Sequence, residues 1–295
     1  MEKKIIRVGS RASRLAVVQS ECIMAQIQKI MPDVELELVT MTTTGDRIFN
    51  KTLDQIGGKG LFLKELNSAL LERRVDICVH SLKDVPAEEN PLLPIGAYSS
   101  REAPWDVLVL PKGRTEPDMS LPVGCSSARR ALQFQEIYPR WEVRPVRGNV
   151  LTRLEKLDRG EYGALILAEA GLNRLGLSER ISYRFSPEEM IPAAGQGIMA
   201  VQGRAGEFSE LLRQLNDPEA ELCAKTERLL SKELGGDCSS PIGCFAAIDG
   251  GIMTLRGFYG AGDKPISGII SGKTDNAQQL AKSLAEQLKA QRLIK

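Results

Sequence analysis

Three stretches of the chain share a pattern that suits the binding of anionic groups. In each, an apolar run ends in a polar turn with arginines and leads into a helical pattern: VGSRASR (8–14), VGCSSARR (123–130) and VRGNVLTR (146–153). Helix N-termini beside strand ends offer free N–H groups and positive potential. Guanidinium forks bind carboxylates or phosphates. One arginine there is usually solvated surface, but five predict a site for a polyanionic small molecule. They are Arg11, Arg129, Arg130, Arg147 and Arg153.

A further strand-like run, VHSLKDVP (79–86), ends in side chains that could move protons. An aspartate beside a lysine after a strand is usually a surface ion pair. If the arginines face the same cleft, Asp84 is the carboxylate best placed to stabilise a developing positive charge or to transfer a proton. His80 is the only histidine in the chain, and at a strand end it is more often a core or edge residue.

Two cysteines flank a polar turn in LGGDCSSPIGC (234–244). Cys238 and Cys244 lack the spacing of a zinc site. The negative charge of Asp237 disfavours a thiolate at Cys238, so Cys238 is a poor candidate for a nucleophile that turns over repeatedly. A thiol that reacts once with a strongly electrophilic partner fits the turn better.

The composition of the chain limits the classes of molecule that it is expected to bind. The 295 residues include 39 lysines and arginines against 38 acids, so the bulk charge predicts no nucleic-acid or membrane partner. Neither a P-loop nor a dinucleotide fingerprint is present, which disfavours a nucleotide. The six scattered cysteines and an N-terminus unlike a signal peptide predict free thiols in the cytoplasm.

The elements that must position these residues form an α/β pattern. The first half alternates strand and helix, with a helix over 14–30 that begins at an N-cap, Ser13. A second unit of the same kind starts near DVLVL (106–110), and both units predict mostly parallel sheets with helices on both faces. After about residue 218 a helix (219–234), three strand-like runs and a final helix (275–291) predict an antiparallel sheet. The polar stretch 42–60 is the expected mobile loop.

With these residues in view, the chain resembles the porphobilinogen deaminases, also called hydroxymethylbilane synthases, over essentially its whole length. Several stretches carry the resemblance together and in this order. They are GSRASRLAVVQS, GGKGLFLKELNSALLERRVDICVHSLKDVP, GCSSARRALQ, RGNVLTRLEKLDRGEY, LAEAGLNRLGL, PAAGQG and GGDCSSPIG.

The resemblance implies a fold of three α/β domains. The first two resemble the doubly wound lobes of periplasmic binding proteins, with a catalytic cleft between them, and the third is an α+β domain with a three-stranded antiparallel sheet. Domain 1 is expected at 1–98 plus 196–217, because GQGIMAVQGR should cross back into it. Domain 2 is expected at 99–195, and domain 3, which carries the cofactor cysteine, at 218–295.

The implied activity is that of a transferase in tetrapyrrole biosynthesis. Four porphobilinogen molecules are joined head to tail with loss of ammonia on a dipyrromethane primer, and hydrolysis then frees linear hydroxymethylbilane. The resemblance places the thioether of that cofactor on Cys238. Loss of ammonia from porphobilinogen supplies the electrophile with which the thiol would react once.

The resemblance also assigns roles to individual residues. Asp84 is the expected catalytic residue, which bonds pyrrole N–H groups and stabilises cationic intermediates. The expected cofactor ligands are Ser81, Lys83, Asp84, Ser127, Arg129, Arg130 and Gly148. The residues expected to bind the substrate and the growing chain or to border the cleft are Arg11, Ser13, Lys59, Phe62, Arg147, Arg153, Arg174 and Gln196.

Three positions depart from the family pattern, and two alternative functions stay open. Cys125 stands where threonine is common, Trp105 where a basic residue is frequent, and Asp237 where glycine is frequent. One alternative is a two-lobed polycarboxylate-binding protein without turnover, and the other is an inactive homologue. The chain is expected to act as a monomer, beside uroporphyrinogen-III synthase.

Overall fold

The computed structural model describes residues 5–43, 63–88, 90–236, 240–260 and 265–294. The chain divides into two compact units. The first comprises Met1–Arg101 and Ile198–Glu221, and the second comprises Glu102–Gly197 and Leu222–Lys295.

The strands of the described residues are numbered in chain order. They are β1 (Ile5–Arg11), β2 (Glu35–Met41), β3 (Ile77–Ser81), β4 (Ile95–Tyr98), β5 (Asp106–Val109), β6 (Val123–Gly124), β7 (Val143–Arg144), β8 (Ala164–Ala168), β9 (Tyr183–Arg184), β10 (Met199–Gly203), β11 (Ile242–Asp249), β12 (Ile252–Tyr259) and β13 (Ile266–Lys273).

The helices of the same residues are numbered likewise. They are α1 (Arg14–Ile30), α2 (Lys64–Leu71), α3 (Ala128–Ile137), α4 (Val150–Asp158), α5 (Glu169–Arg174), α6 (Ser209–Leu215), α7 (Pro218–Glu233) and α8 (Ala277–Ile294). Among the described residues, no helix combines the length and the apolar character needed to cross a membrane.

The first unit contains a five-stranded sheet in the order β2-β1-β3-β10-β4. The strands β2, β1 and β3 run parallel, whereas β10 is antiparallel to both of its neighbours. Apolar side chains from α1 and from α6 pack on this sheet, with Ile23 and Ile27 buried against Val8. Because three parallel strands lie side by side, the carboxyl ends of β1 and β3 meet at one edge of the sheet.

The second unit repeats this arrangement in the order β7-β6-β8-β5-β9. Here β7, β6 and β8 are parallel, and β5 is antiparallel to its two neighbours. Both sheets are therefore more mixed than the alternating pattern predicts. The difference arises because β10 and β5 run antiparallel to their neighbours. The strand expected to open the second strand–helix repeat, β5, is followed by β6 rather than by a helix.

The same unit holds an antiparallel sheet in the order β11-β12-β13. Its inner face packs on α7 and α8, with Leu255 in contact with buried residues such as Leu230 and Leu284. The structure thus contains two doubly wound α/β lobes and a C-terminal three-stranded antiparallel sheet. The predicted fold class is confirmed.

Helix ends differ from the sequence pattern at one place near the site. The pattern LFLKELNSALLERR predicts a helix to residue 74, but α2 ends at Leu71. Arg73 adopts a left-handed backbone with φ 58°. The side chain of Arg204 donates hydrogen bonds of 2.7 and 2.8 Å to the carbonyl oxygens of Leu70 and Val75, so a long-range contact helps to terminate this helix.

Candidate functional site

The three helices that follow the arginine-bearing turns all begin at a side-chain cap. The hydroxyl of Ser13 accepts a hydrogen bond from the N–H of Ala16 at 3.4 Å at the start of α1. Ser127 caps α3 in the same way through the N–H of Arg130 at 3.5 Å. Asn149 caps α4 through the N–H of Thr152 at 3.0 Å. The caps fix where each helix begins and so orient its N-terminus, which carries positive potential.

The predicted site residues of the first unit lie at the carboxyl ends of two parallel strands. Arg11 is the last residue of β1, and Ser81 is the last residue of β3. Lys83 and Asp84 follow directly in a short 3₁₀ turn, Leu82–Asp84. The amide of Gln19, on α1, donates to the hydroxyl of Ser81 at 2.9 Å. The fold therefore gathers a guanidinium, an ammonium and a carboxylate on one edge of this sheet.

His80 is a buried residue of β3 rather than a charged member of this group. Its Nε2 lies 3.0 Å from Oε1 of Gln202, whose amide nitrogen donates to the carbonyl of Leu93 at 2.8 Å. Since that amide oxygen must accept, the proton sits on Nε2 of His80. Burial lowers the pKa of His80 to about 4, although the bond to Gln202 and the charge of Asp84 oppose the shift. His80 is thus neutral near pH 7.

A carboxylate that sequence analysis missed organises the arginines of the second unit. Asp106, the first residue of β5, is fully buried. Its Oδ2 lies 2.7 Å from Nη1 of Arg129, and its Oδ1 lies 2.8 Å from Nε of Arg130. The amide of Gln196 donates to Asp106 at 2.9 Å and to the carbonyl of Pro104 at 2.6 Å. Three predicted site residues therefore converge on one acid.

Burial raises the pKa of Asp106, but the guanidinium groups of Arg129 and Arg130 and the bond from Gln196 outweigh it and hold that pKa well below its usual range. Asp106 is therefore a carboxylate at any physiological pH. The side chains of Arg129 and Arg130 are themselves buried, at 4 and 10% exposure. The sequence signal for this cluster is the acid at the start of an apolar strand, in PWDVLVL, because a buried carboxylate requires charged or hydrogen-bonding partners.

A third group of predicted residues surrounds the start of α4. Nε of Arg153 donates to the carbonyl of Gly148 at 2.8 Å, and the ammonium of Lys156 donates to the carbonyl of Arg147 at 3.1 Å. Gly148 has a φ of 115°, and a Cβ added there would lie 2.8 Å from the side chain of Thr152. Only glycine fits this turn without strain, so the turn holds Arg147 and Arg153 at fixed positions beside the helix start.

Arg174 is the last residue of α5, and its Nη2 donates to the carbonyl of Gly197 at 2.6 Å. The neighbouring Glu102 accepts from the N–H of Ala103 at 2.9 Å. That bond lowers the pKa of Glu102, and the bond from Asn173 and the charge of Arg174 lower it further. Arg174 is therefore tied to the segment that carries Gln196.

The departures from the family pattern have structural consequences that the sequence did not reveal. Cys125 is buried, and its Sγ lies 3.6 Å from the carbonyl of Ser127. Burial raises the pKa of its thiol, so Cys125 is an uncharged core residue. The ring of Trp105 packs on that of Phe245 with centroids 5.1 Å apart. Trp105 thus contributes an apolar contact to β11.

Some predicted site residues fall outside the described residues. They are Lys59, Phe62 and Cys238, together with Asp237 and nearly all of the stretch 42–60. Cys244, the other cysteine of the polar turn, is described and buried. Burial raises the pKa of Cys244, and the charge of Glu227 raises it further. Cys244 is therefore an uncharged core residue whose thiol is poorly suited to react with a ligand.

These features define a class of protein: an α/β protein with two doubly wound lobes, whose capped helix starts and arginines suit the carboxylates of a small molecule. A family model for the porphobilinogen deaminase dipyrromethane-cofactor-binding domain matches residues 6–210. A model for the C-terminal domain of porphobilinogen deaminase matches residues 221–290.

Curated relatives agree with the family models. The porphobilinogen deaminase of Acetivibrio thermocellus is 55% identical over 254 residues, which cover 86% of this chain and 87% of the relative. That of Alkaliphilus oremlandii is 52% identical over 287 residues and 97% of both chains. That of Ruminiclostridium cellulolyticum is 48% identical over 293 residues, 99% of this chain and 100% of the relative. The chain belongs to the porphobilinogen deaminase family.

Among solved structures, the effector-binding domain of BenM with benzoate matches at a TM-score of 0.44 and 15% identity. The match covers 74% of this chain and 97% of that one. This likeness is too distant to bear on function.

The predicted activity is confirmed by the family. The chain is a hydroxymethylbilane synthase, a transferase of porphyrin biosynthesis that joins four porphobilinogen molecules head to tail with loss of ammonia and releases linear hydroxymethylbilane. It works on a dipyrromethane cofactor. The donor set described above fits this group, because its pyrroles carry carboxylate side chains and N–H donors. Guanidinium groups and helix N-termini are chemically complementary to the carboxylates, and a carboxylate such as that of Asp84 is complementary to the N–H donors.

Proposed function

We propose that the residues gathered at the two sheet edges carry out this reaction in distinct roles. The first unit supplies Asp84 as the catalytic residue, with Lys83 and Ser81 as cofactor ligands and with Arg11 and Ser13 toward the substrate. The second unit supplies further ligands for the cofactor and for the growing chain. They are Ser127, Arg129, Arg130, Gly148, Arg147, Arg153, Arg174 and Gln196. Lys59 and Phe62 are proposed to border the cleft.

Cys238 is proposed as the attachment point of the cofactor. Support comes from its place in the family's cysteine turn and from burial of the neighbouring Cys244. When bound, the dipyrromethane would supply the free pyrrole α-carbon that acts as the nucleophile in the first addition. The part played by Cys238 ends once its thioether has formed, which agrees with a position beside Asp237 that disfavours a thiolate.

The role proposed for Asp84 is electrostatic. A carboxylate bonded to pyrrole N–H groups stabilises positive charge that develops as ammonia departs from the substrate. The observation that carries this proposal is the position of Asp84 in the turn after β3, at the same sheet edge as Arg11 at the end of β1. We propose that Arg11, at that sheet edge, binds acetate or propionate groups of the substrate and so orients the reacting atoms.

The domain boundaries and the cellular context are part of the same proposal. Domain 1 spans 1–98 plus 196–217, domain 2 spans 99–195 and domain 3 spans 218–295. Placement of β10 between β3 and β4 supports the discontinuity of domain 1. The scatter of the six cysteines along the chain supports a cytoplasmic enzyme. We propose a monomer that acts beside uroporphyrinogen-III synthase.

Asp84→Asn tests the proposed function. Removal of the charge is expected to lower kcat by about 100-fold or more while the circular dichroism spectrum and Tm stay those of the wild type. Asp33→Asn, which makes the same change at an exposed residue, is the matched control and should keep full activity. Near-normal kcat in Asp84→Asn would remove the residue from the mechanism.

A further inference from the structure

One short segment of the second unit, residues 191–197, is hydrogen-bonded on two sides. On one side, the carbonyl of Ile191 accepts from Nη1 of Arg129 at 2.7 Å. Farther along the segment, the side chain of Gln196 donates to Asp106 at 2.9 Å. The segment thus holds two members of the Asp106–Arg129–Arg130 cluster in place from outside their own helix and strand.

The opposite side of the segment covers the free edge of β11. In the register of β11 with β12, Cys244 faces Gly257 and Ala246 faces Leu255. The N–H of Cys244 donates instead to the carbonyl of Pro192 at 2.8 Å, and the N–H of Ala246 donates to Oε1 of Glu227 at 2.7 Å. An edge strand that would otherwise expose its amides is therefore closed by the segment and by one side chain.

Glu227, on α7, joins the two sides. It is fully buried, and its second oxygen, Oε2, accepts from the N–H of Gly195 at 2.7 Å. One carboxylate consequently bonds both to β11 and to the residue that precedes Gln196. Both oxygens act as acceptors of N–H groups, which a carboxylate can satisfy and a carboxamide cannot, because a carboxamide has a single oxygen.

The two elements that Glu227 connects also flank the cysteine turn, residues 234–241, which contains Cys238. Helix α7 leads into that turn, where the N–H of Gly236 donates to the carbonyl of Ser231 at 2.8 Å. Strand β11 follows it, and the N–H of Ile242 donates to the carbonyl of Ser240 at 2.8 Å. Gly236, on one side of residues 237–239, is thus bonded to α7, the helix that contains Glu227. Ser240, on the other side, is bonded to β11, the strand from which Glu227 accepts a hydrogen bond.

We propose that Glu227 is a positioning residue for the cofactor: through Gly195 and Ala246 it holds α7 and β11, the elements on either side of the cysteine turn, in place relative to the arginine cluster. The inference rests on the proposed function, in which Cys238 is the attachment point and Arg129 and Arg130 hold the cofactor's carboxylates. The cofactor must bond to Cys238 and place its carboxylates at Arg129 and Arg130 at the same time. A change in the distance between the cysteine and the arginines therefore slows attachment of the cofactor, before any turnover occurs.

Loading of the apo-protein tests this role without reference to turnover. Apo-protein is incubated with porphobilinogen, and intact mass follows the fraction of chains that gain two deaminated pyrrole units. Glu227→Gln leaves one buried N–H facing an NH₂ group, and its loading is expected to be slower by about fivefold or more. The rate at which a small alkylating reagent modifies Cys238 in the apo-protein should stay within about twofold of the wild type, because the thiol itself is unchanged.

Leu230→Ala provides the matched control for stability. Leu230 lies on the same helix and is fully buried in the core of the three-stranded sheet, and its apolar side chain cannot hydrogen-bond to the segment 191–197. Its truncation lowers Tm through a cavity. This variant should load at the wild-type rate under conditions where both variants remain folded.

A second variant keeps the inference testable if Glu227→Gln does not fold. Gln133 bonds the same segment from α3, since its Oε1 accepts from the N–H of Ile191 at 2.8 Å and its Nε2 donates to the carbonyl of Ile191 at 3.2 Å. Gln133→Met removes both bonds at similar volume and should also slow loading.

The outcomes separate the inference from the proposed function. Wild-type protein that gains no mass from porphobilinogen contradicts the attachment itself, and with it the proposed function. Wild-type protein that loads normally, with Glu227→Gln or Gln133→Met loading at the same rate, overturns the positioning role alone. Equal slowing in Leu230→Ala would also overturn it, because stability would then account for the effect.

Discussion

Nη2 of Arg130 lies 2.7 Å from Oδ1 of Asp106 in the interior of the second lobe, where the two side chains are 10 and 0% exposed. The ion pair joins the start of α3, where the cofactor ligands are proposed, to the first residue of β5. Loss of one partner from such a buried pair leaves an uncompensated charge.

Asp106→Asn is therefore expected to destabilise the protein strongly. The buried guanidinium groups of Arg129 and Arg130 lose their shared carboxylate, at a cost of about 3–5 kcal/mol. Chemical denaturation followed by tryptophan fluorescence checks this. Asp118→Asn, at an exposed acid whose bonds run to Ser120, should change stability by less than about 0.5 kcal/mol. Equal small effects in both variants would contradict the structural role of Asp106.

His80 should make stability depend on pH. Its pKa is lowered to about 4 by burial in the folded state, against about 6.5 in the unfolded chain. Above pH 6.5 both states are neutral, so the contribution to stability is complete. As pH falls below 6.5 the unfolded state takes up the proton first, and by pH 5 the loss reaches about 2 kcal/mol.

The variant His80→Gln isolates this effect, because glutamine can still donate to Gln202 but does not titrate. Urea denaturation at pH 7 and pH 5 should show a smaller loss of stability in the variant than in the wild type. Asp84 and Arg11 are the charged groups that influence the pKa of His80, and His80→Gln leaves both of them in place. An identical pH dependence in both proteins would rule out titration of His80.

Arg153→Leu should interrupt elongation at an intermediate stage. Nε of Arg153 is held by the carbonyl of Gly148 at the start of α4, and we propose that its guanidinium binds carboxylates of the growing chain. Their pairing is lost in the variant, which leaves acceptors unsatisfied. Mass spectrometry of the protein during turnover should show partly elongated adducts.

Arg159→Leu, just beyond the end of α4, is the control for that experiment. Arg159 is exposed and pairs with Glu161 at 2.8 Å, so the variant should elongate normally. A uniform fall in rate for Arg153→Leu, with no accumulated adduct, would indicate steering of the substrate by surface charge rather than binding of the chain.

Much of the fold could be predicted because local signals agree with the tertiary structure. Ser13 was predicted to cap α1, and its hydroxyl accepts a hydrogen bond from the N–H of Ala16. The change of sequence pattern near residue 218 coincides with the start of α7 at Pro218. The mixed character of the sheets could not be predicted, since strand order depends on pairings distant in sequence. From the family resemblance we expected GQGIMAVQGR to cross back into domain 1, but nothing indicated that β10 would pair with β3.

The candidate site was predictable as a set of charges but not as a set of contacts. The turns that carry Arg11, Arg129 and Arg153 stand out because arginines beside helix N-termini suit the binding of carboxylates or phosphates. Asp106 did not stand out, because a lone acid ahead of a strand is ordinary until burial and two guanidinium groups change its surroundings. Glu227 did not stand out either, because its bonds to the backbone N–H groups of Gly195 and Ala246 are contacts that no side-chain pattern encodes.

Attachment of the dipyrromethane to Cys238 is the central claim, and intact mass of the purified wild type beside Cys238→Ser tests it most directly. The wild type should carry, or acquire from porphobilinogen, an excess equal to two deaminated pyrrole units. Cys238→Ser should carry none before or after incubation. The same excess on Cys238→Ser, or a wild-type mass that lacks the excess both before and after incubation with porphobilinogen, would contradict the assignment.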